Sequence, residues 1–219
     1  MCLIIHKPTG RAVCPDFLAN AWRRNGHGWG IVTWDADGHP QARRGMRLPE
    51  LLAQAAALDP EAPALLHLRQ ATVGAVNLAM VHPFEVRPGL WLMHNGSIGS
   101  LRPRHGHHSD TAELARLLAD LLAGQTDAQA RATLRSEGFA RLIGPLIHGS
   151  MVLLLDRDGV VRLGREWHRV AADEWWPSMH GIEVSNARTW RPHCPQRWRQ
   201  LWTDLRWQAR HWRYKLAPT

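Results

Sequence analysis

The sequence predicts an α+β or layered α/β fold, with α+β the class expected. Strand-like apolar runs and amphipathic helical stretches occur in clusters, not as the regular βα alternation of a doubly wound sheet. Apolar content of 45% is that of a globular protein, and 219 residues suit one domain, or one domain with an appendage.

Taken in order, residues 2–6 (CLIIH) read as a short buried strand that Pro8 and Gly10 bring to an end. Residues 15–24 open with Pro-Asp and place Phe17, Leu18, Ala21 and Trp22 at helical spacing. Residues 28–34 (GWGIVTW) are strand-like, and the turn at 35–38 (DADG) leads to a second strand near 40–45. Pro49 near its start marks 48–58 as a helix. Apolar runs follow at 63–69 and 90–94, then a helix at 109–123, a further helix near 126–137 and a hairpin over 150–164 turning at Arg157-Asp158-Gly159. No internal repeat and no low-complexity linker interrupts residues 1–187.

Several function classes are excluded. The sequence has no run of about 18 apolar residues, as a membrane span would need. The apolar stretch after Met1 is too short for a secretory signal, so the cytoplasm is the expected location. Cys2, Cys14 and Cys194 form an odd set without CxxC spacing, which argues against a disulfide framework and against structural zinc. No P-loop or dinucleotide glycine pattern is present.

Most of the net charge of +8 belongs to residues 188–219, where eight Arg and Lys residues face Asp204 alone. Within that segment Trp198, Leu201, Trp202, Leu205, Ala209, Trp212 and Leu216 form a helical stripe. The division expected is a domain over 1–187 and a basic, Trp-rich helical tail over 188–219. The tail reads as a helix docked on the core with a solvated basic face. A nucleic-acid surface over 190–216, an acidic protein partner and an anionic membrane surface stand beside that reading.

Cys2 is the first candidate for chemistry. A small second residue permits removal of Met1, which would leave a thiol and an α-amine on one residue. An α-amine with a pKa near 8 accepts the thiol proton at neutral pH and returns it to a leaving group. A Cys in second position is also an ordinary way to begin a strand.

Further along the chain lie 67–74 (HLRQATVG), 82–84 (HPF), 94–98 (HNGSI) and 109–113 (SDTAE), preceded by 25–31 (NGHGWGI). With Cys2, this ordered set resembles the class II glutamine amidotransferase domain, over residues 2 to about 186. The resemblance implies the four-layer αββα sandwich of N-terminal-nucleophile hydrolases, with Cys2 opening a central strand. It also implies cleavage of the side-chain amide of glutamine, or of a γ-glutamyl compound, through a thioester on Cys2. Ammonia would be released, for a separate synthetase subunit or to water, without a cofactor. A catalytically idle member, acting as a nucleic-acid-binding or scaffold subunit through its tail, is the alternative.

The same resemblance assigns roles. Asn95, through its side-chain NH₂, and Gly96, through its backbone N–H, would hold the oxyanion; as residues alone they also make a tight turn. Arg69 would take the substrate α-carboxylate with its planar fork, and Asp110 the α-ammonium. Ser109 or Asp110 is also a natural N-cap for the helix that follows. Thr72 and His67 would line or support the pocket, while His82 and His94 would pack beneath it. The loop over 102–108 departs from the family pattern in being rich in Arg and His. His105, His107 and His108 have the spacing of a metal site but no completing carboxylate or Cys, so a solvated loop is expected, and no metal. Residues 181–186 (GIEVSN) resemble the family's terminal strand but end in Ser185-Asn186, which leaves their contacts open.

Overall fold

The computed structural model describes residues 2–101, 103, 105–171 and 176–191. The helical stripe expected over 198–216 therefore lies outside the described residues, as do Arg102 and Arg104.

Among the described residues ten strands form two antiparallel sheets. The first has the order β3 (Pro40–Gly45), β2 (Trp29–Trp34), β4 (Ala64–Leu68), β1 (Leu3–Lys7), β10 (Glu183–Val184) and β9 (His168–Arg169). The second runs β5 (Phe84–Arg87), β6 (Leu90–Asn95), β7 (Met151–Asp156) and β8 (Gly159–Gly164). Helices α1 (Pro15–Trp22) and α2 (Leu48–Ala56) contribute to the core on the outer face of the first sheet. Helices α3 (Asp110–Leu121), α4 (Asp127–Arg135) and α5 (Glu137–Leu146) do the same on the second. The expected α+β class and αββα layering are both present.

Alternation along each strand explains the layers. Successive side chains of a strand point to opposite faces. In β1, Leu3 and Ile5 join Phe17, Leu18 and Leu51 in the outer core, while Ile4 turns inward to Val32, Leu65, Met93 and Leu153 between the sheets. In β7, Val152 and Leu154 face Leu114, Leu118 and Phe139, while Met151, Leu153 and Leu155 face inward. Strands covered on both sides need apolar residues at every position, which is why β1, β4 and β7 stand out in the sequence as continuous apolar runs. Each buried Leu or Ile contributes roughly 1.5–3 kcal/mol.

Local signals set the helix ends. Pro15 and Pro49 occupy the first turns of α1 and α2. Thr126 and Gln129 make a reciprocal capping box for α4, and Ser136 caps α5. Arg135 of α4 forks onto Asp156 of β7 with N···O distances of 2.6 and 2.7 Å. Lys7 is buried at the end of β1, where its ammonium donates to the carbonyls of Ala62 (2.6 Å) and Pro60 (2.9 Å) and stitches β1 to the loop before β4.

Gly30 of β2 is a close-approach glycine: a Cβ there would lie 1.9 Å from the His82 carbonyl oxygen. Its bare backbone lets the segment before β5 cross against the first sheet. Among the described residues no helix is long and apolar enough to cross a membrane.

Three elements depart from the sequence reading. Helix α5 was not expected, because Gly138, Gly144 and Pro145 break its pattern. Strand β5 begins at Phe84, the last residue of the 82–84 motif, and β9 is only two residues long. Trp190, counted with the C-terminal tail, is wholly buried against Phe17 in the outer core, with ring centroids 5.5 Å apart. That indole is part of the core and offers no stacking surface.

Candidate active site

Cys2 precedes β1 at the end of the first sheet where β4 also terminates. Its sulfur accepts the backbone N–H of Gln70 at 3.4 Å and lies 3.6 Å from the Gln70 carbonyl oxygen. Only 9% of the residue is exposed. Burial raises the thiol pKa above its ordinary value, while the Gln70 N–H and the charge of Arg69 pull it back down. A thiol so placed is held protonated by its surroundings and needs a partner base to become a nucleophile.

The backbone carbonyl of Cys2 accepts from Asn186 Nδ2 at 2.8 Å. Asn186 Oδ1 in turn accepts the N–H groups of Arg188 (3.0 Å) and Thr189 (2.9 Å), so this carboxamide is gripped at both ends. The Trp190 indole N–H closes the turn onto the Asn186 carbonyl at 2.7 Å.

Asn95 ends β6 and is fully buried. Its Nδ2 donates to Ser185 Oγ at 2.7 Å, and Ser185 Oγ also accepts the Ile4 N–H at 2.8 Å. One hydroxyl therefore joins the strand behind Cys2 to the carboxamide expected to bind an oxyanion. The adjoining Gly96 has φ of +151°, and a Cβ there would sit 2.2 Å from Ser150 Oγ. Gly96→Ala combines that clash with a backbone conformation that costs about 1–3 kcal/mol for other residues. Thermal denaturation is expected to show a midpoint lower by several degrees; an unchanged midpoint contradicts the assigned geometry.

The expected substrate-binding residues divide. Arg69 is buried after β4, and its guanidinium donates to the carbonyls of Ala75 (2.8 Å) and Val73 (3.3 Å). It thus shapes the 70–75 loop and retains further N–H donors, since a guanidinium carries five. Asp110 is buried at the first turn of α3, where its carboxylate accepts from the N–H groups of Ile98 (2.7 Å) and Thr111 (2.8 Å). The N-cap itself is Ser109, accepting from Ala112 N–H at 3.2 Å. Asp110 therefore pins the turn after Gly96 to α3. Thr72 lies exposed on the loop.

His67, His82 and His94 are all buried. His67 and His82 stack with centroids 3.9 Å apart, and His67 Nε2 lies 3.1 Å from the His94 carbonyl oxygen. His94 Nδ1 meets Thr111 Oγ1 at 2.8 Å, which ties β6 to α3. Burial lowers the pKa of His67 to about 3, that of His94 to about 4, and that of His82 well below the usual imidazole value. All three are neutral at physiological pH and supply no charge.

Contacts that the sequence left open, and Arg165, which it did not single out, complete the arrangement. Ser185 and Asn186 hold partners 181 and 184 residues away. His27 receives the Ala71 N–H at 3.0 Å and fixes the loop beside Gln70, while Arg165 donates to the Asn95 carbonyl at 3.4 Å. The terminal segment 181–186 was the one signal for the first pair. His105, His107 and His108 approach one another with ring centroids 4.6–5.6 Å apart. Among the described residues no group of three or more His, Cys, Asp or Glu is arranged to hold a metal.

No protein-family model and no curated protein matches this chain. Among solved structures it is similar to glutamine phosphoribosylpyrophosphate amidotransferase from B. subtilis, complexed with ADP and GMP, at 18% identity and a TM-score of 0.40. That likeness covers 72% of this chain and 35% of the other. A structure described as the allosteric regulatory enzyme of purine biosynthesis is similar at 18% identity and a TM-score of 0.46, over 72% of this chain and 36% of that one. A glutamine aminotransferase class-II domain protein from Silicibacter pomeroyi is similar at 17% identity and a TM-score of 0.40, over 84% and 87% of the two chains. The chain spans about a third of the length of the first two.

Proposed function

We propose that this chain is an amidohydrolase of the class II glutamine amidotransferase type, with Cys2 as an N-terminal nucleophile after removal of Met1. The observation that carries the reading is the link from the strand behind Cys2, through Ser185 Oγ, to the Asn95 carboxamide. A nucleophile and a donor for the developing negative charge are the two parts that amide cleavage requires.

In the proposed reaction the free α-amine of Cys2 takes the thiol proton, and the thiolate attacks the γ-carbonyl carbon of glutamine or a γ-glutamyl compound. The tetrahedral oxyanion is held by the Asn95 carboxamide and the Gly96 N–H. Its collapse breaks the C–N bond, the amine returns the proton, and ammonia or an amine departs. Water then hydrolyses the thioester and regenerates the thiol. Arg69 and Asp110 recognise the α-carboxylate and α-ammonium of the substrate, with their remaining donor and acceptor capacity. Ammonia passes to a separate synthetase subunit or to water, and no cofactor enters this half-reaction.

The test is the mass of the protein from its native source, before and after an electrophilic glutamine analogue. Loss of Met1 and one added adduct on Cys2 are expected. An intact Met1, or an unlabelled Cys2, refutes the proposal.

A further inference from the structure

Ser185 is a residue to which neither the motifs nor the likenesses assign a role, and its hydrogen bonding is informative. A hydroxyl has one hydrogen and two acceptor lone pairs. Ser185 Oγ accepts from Ile4 N–H at 2.8 Å and from Asn95 Nδ2 at 2.7 Å, while Asn95 Oδ1 is buried with no partner. That orientation spends one of the two carboxamide N–H bonds on Ser185 and leaves a buried acceptor unpaired, which is unfavourable.

A carboxamide keeps the same outline when its oxygen and nitrogen exchange places, so the network around it decides which arrangement holds. With the oxygen toward Ser185, the hydroxyl still accepts from Ile4 and donates its own hydrogen to Asn95 Oδ1. The Asn95 NH₂ then lies where the orphaned oxygen was, with both N–H bonds uncommitted. An unpaired, buried, preorganised donor is what a developing oxyanion needs, because it requires no reorganisation during the reaction.

We propose that Ser185 is the positioning residue of the oxyanion hole: anchored by Ile4 N–H, its hydroxyl donates to Asn95 Oδ1 and aims the Asn95 NH₂ at the substrate oxyanion. The inference rests on the amidohydrolase reading above. Arg165 acts in the same sense one bond further on, since its donation to the Asn95 carbonyl fixes the peptide unit that carries the Gly96 N–H.

The test is a kinetic cycle on full-length protein, with glutamine and a γ-glutamyl amide as substrates. Ser185→Ala is expected to lower kcat by up to about 10²-fold, the scale of a misplaced catalytic group, with KM within about twofold. Ser185→Thr, which retains the hydroxyl, is expected to recover most of the loss. Ser185→Cys keeps the side-chain shape with a weak donor, so it serves if the alanine variant does not fold; it should be slow like alanine. In an Asn95→Ala background, Ser185→Ala should slow the enzyme no further, because the carboxamide it orients is gone. Unchanged kcat in both Ser185→Ala and Ser185→Cys, or a full additional loss in the Asn95→Ala background, overturns the inference and leaves the amidohydrolase reading standing. A wild-type protein that hydrolyses neither substrate and is not labelled at Cys2 overturns that reading, and this inference with it.

Discussion

Cys2→Ala will lower amide hydrolysis by at least about 10³-fold while the protein keeps its fold. Removing a covalent nucleophile forfeits the whole two-step path, so losses of this size or larger are the rule for such residues. The variant is a clean one. Alanine is small, so processing of Met1 is unaltered, and the strand pairing of β1 with β4 and β10 does not depend on the sulfur. The thiol's own contacts with Gln70, at 3.4 and 3.6 Å, involve a weak donor and a weak acceptor and contribute little stability. Turnover and thermal midpoint measured on the same preparation decide the matter. A variant with a tenth of wild-type turnover, or one unfolded at 25 °C, is incompatible with the assigned role.

Mild acid will destabilise the protein through its buried imidazoles. The native pKa values of His67 and His94 fall from 6.5 to about 3 and about 4, so between those values and 6.5 the unfolded chain binds protons that the native state refuses. Stability therefore rises with pH across that window and falls as the pH is lowered from 6.5. At pH 5 both residues remain neutral in the native state, and each withdraws about 2 kcal/mol relative to pH 7. His82, depressed in the same direction by burial, adds to the loss. Against a typical total of about 5–15 kcal/mol, the sum is large. Urea denaturation at pH 7 and pH 5 reads it directly, since most carboxylates titrate lower still. Equal midpoints at the two pH values rule it out.

The layers of this fold were legible where one physical demand ruled. Strands β1, β4 and β7, apolar at nearly every position because both faces are covered, could be read from the sequence alone. So could α3, whose apolar stripe and Ser109 cap agree. Helix α5 was not, since Gly138, Gly144 and Pro145 are local breakers that packing of Phe139 and Ile143 overrides. The candidate site divides the same way. Cys2, Arg69, Asn95, Gly96 and Asp110 sit in local motifs, whereas Ser185 and Asn186 lie in the 181–186 segment but find their partners 90 to 184 residues away, so their contacts could not be read locally. Asp110, expected as a substrate ligand, is seen to pin the turn after Gly96 to α3.

The pairing of β1 with β10 has a bearing on the order of biosynthesis. The strand behind Cys2 is made long before its neighbour on one side, Glu183–Val184, and the carbonyl of Cys2 waits for Asn186. At about 5–20 residues per second, that edge stays open on the order of ten seconds or more. The surroundings of the Cys2 thiol are thus complete only once Asn186 and Trp190 have been made.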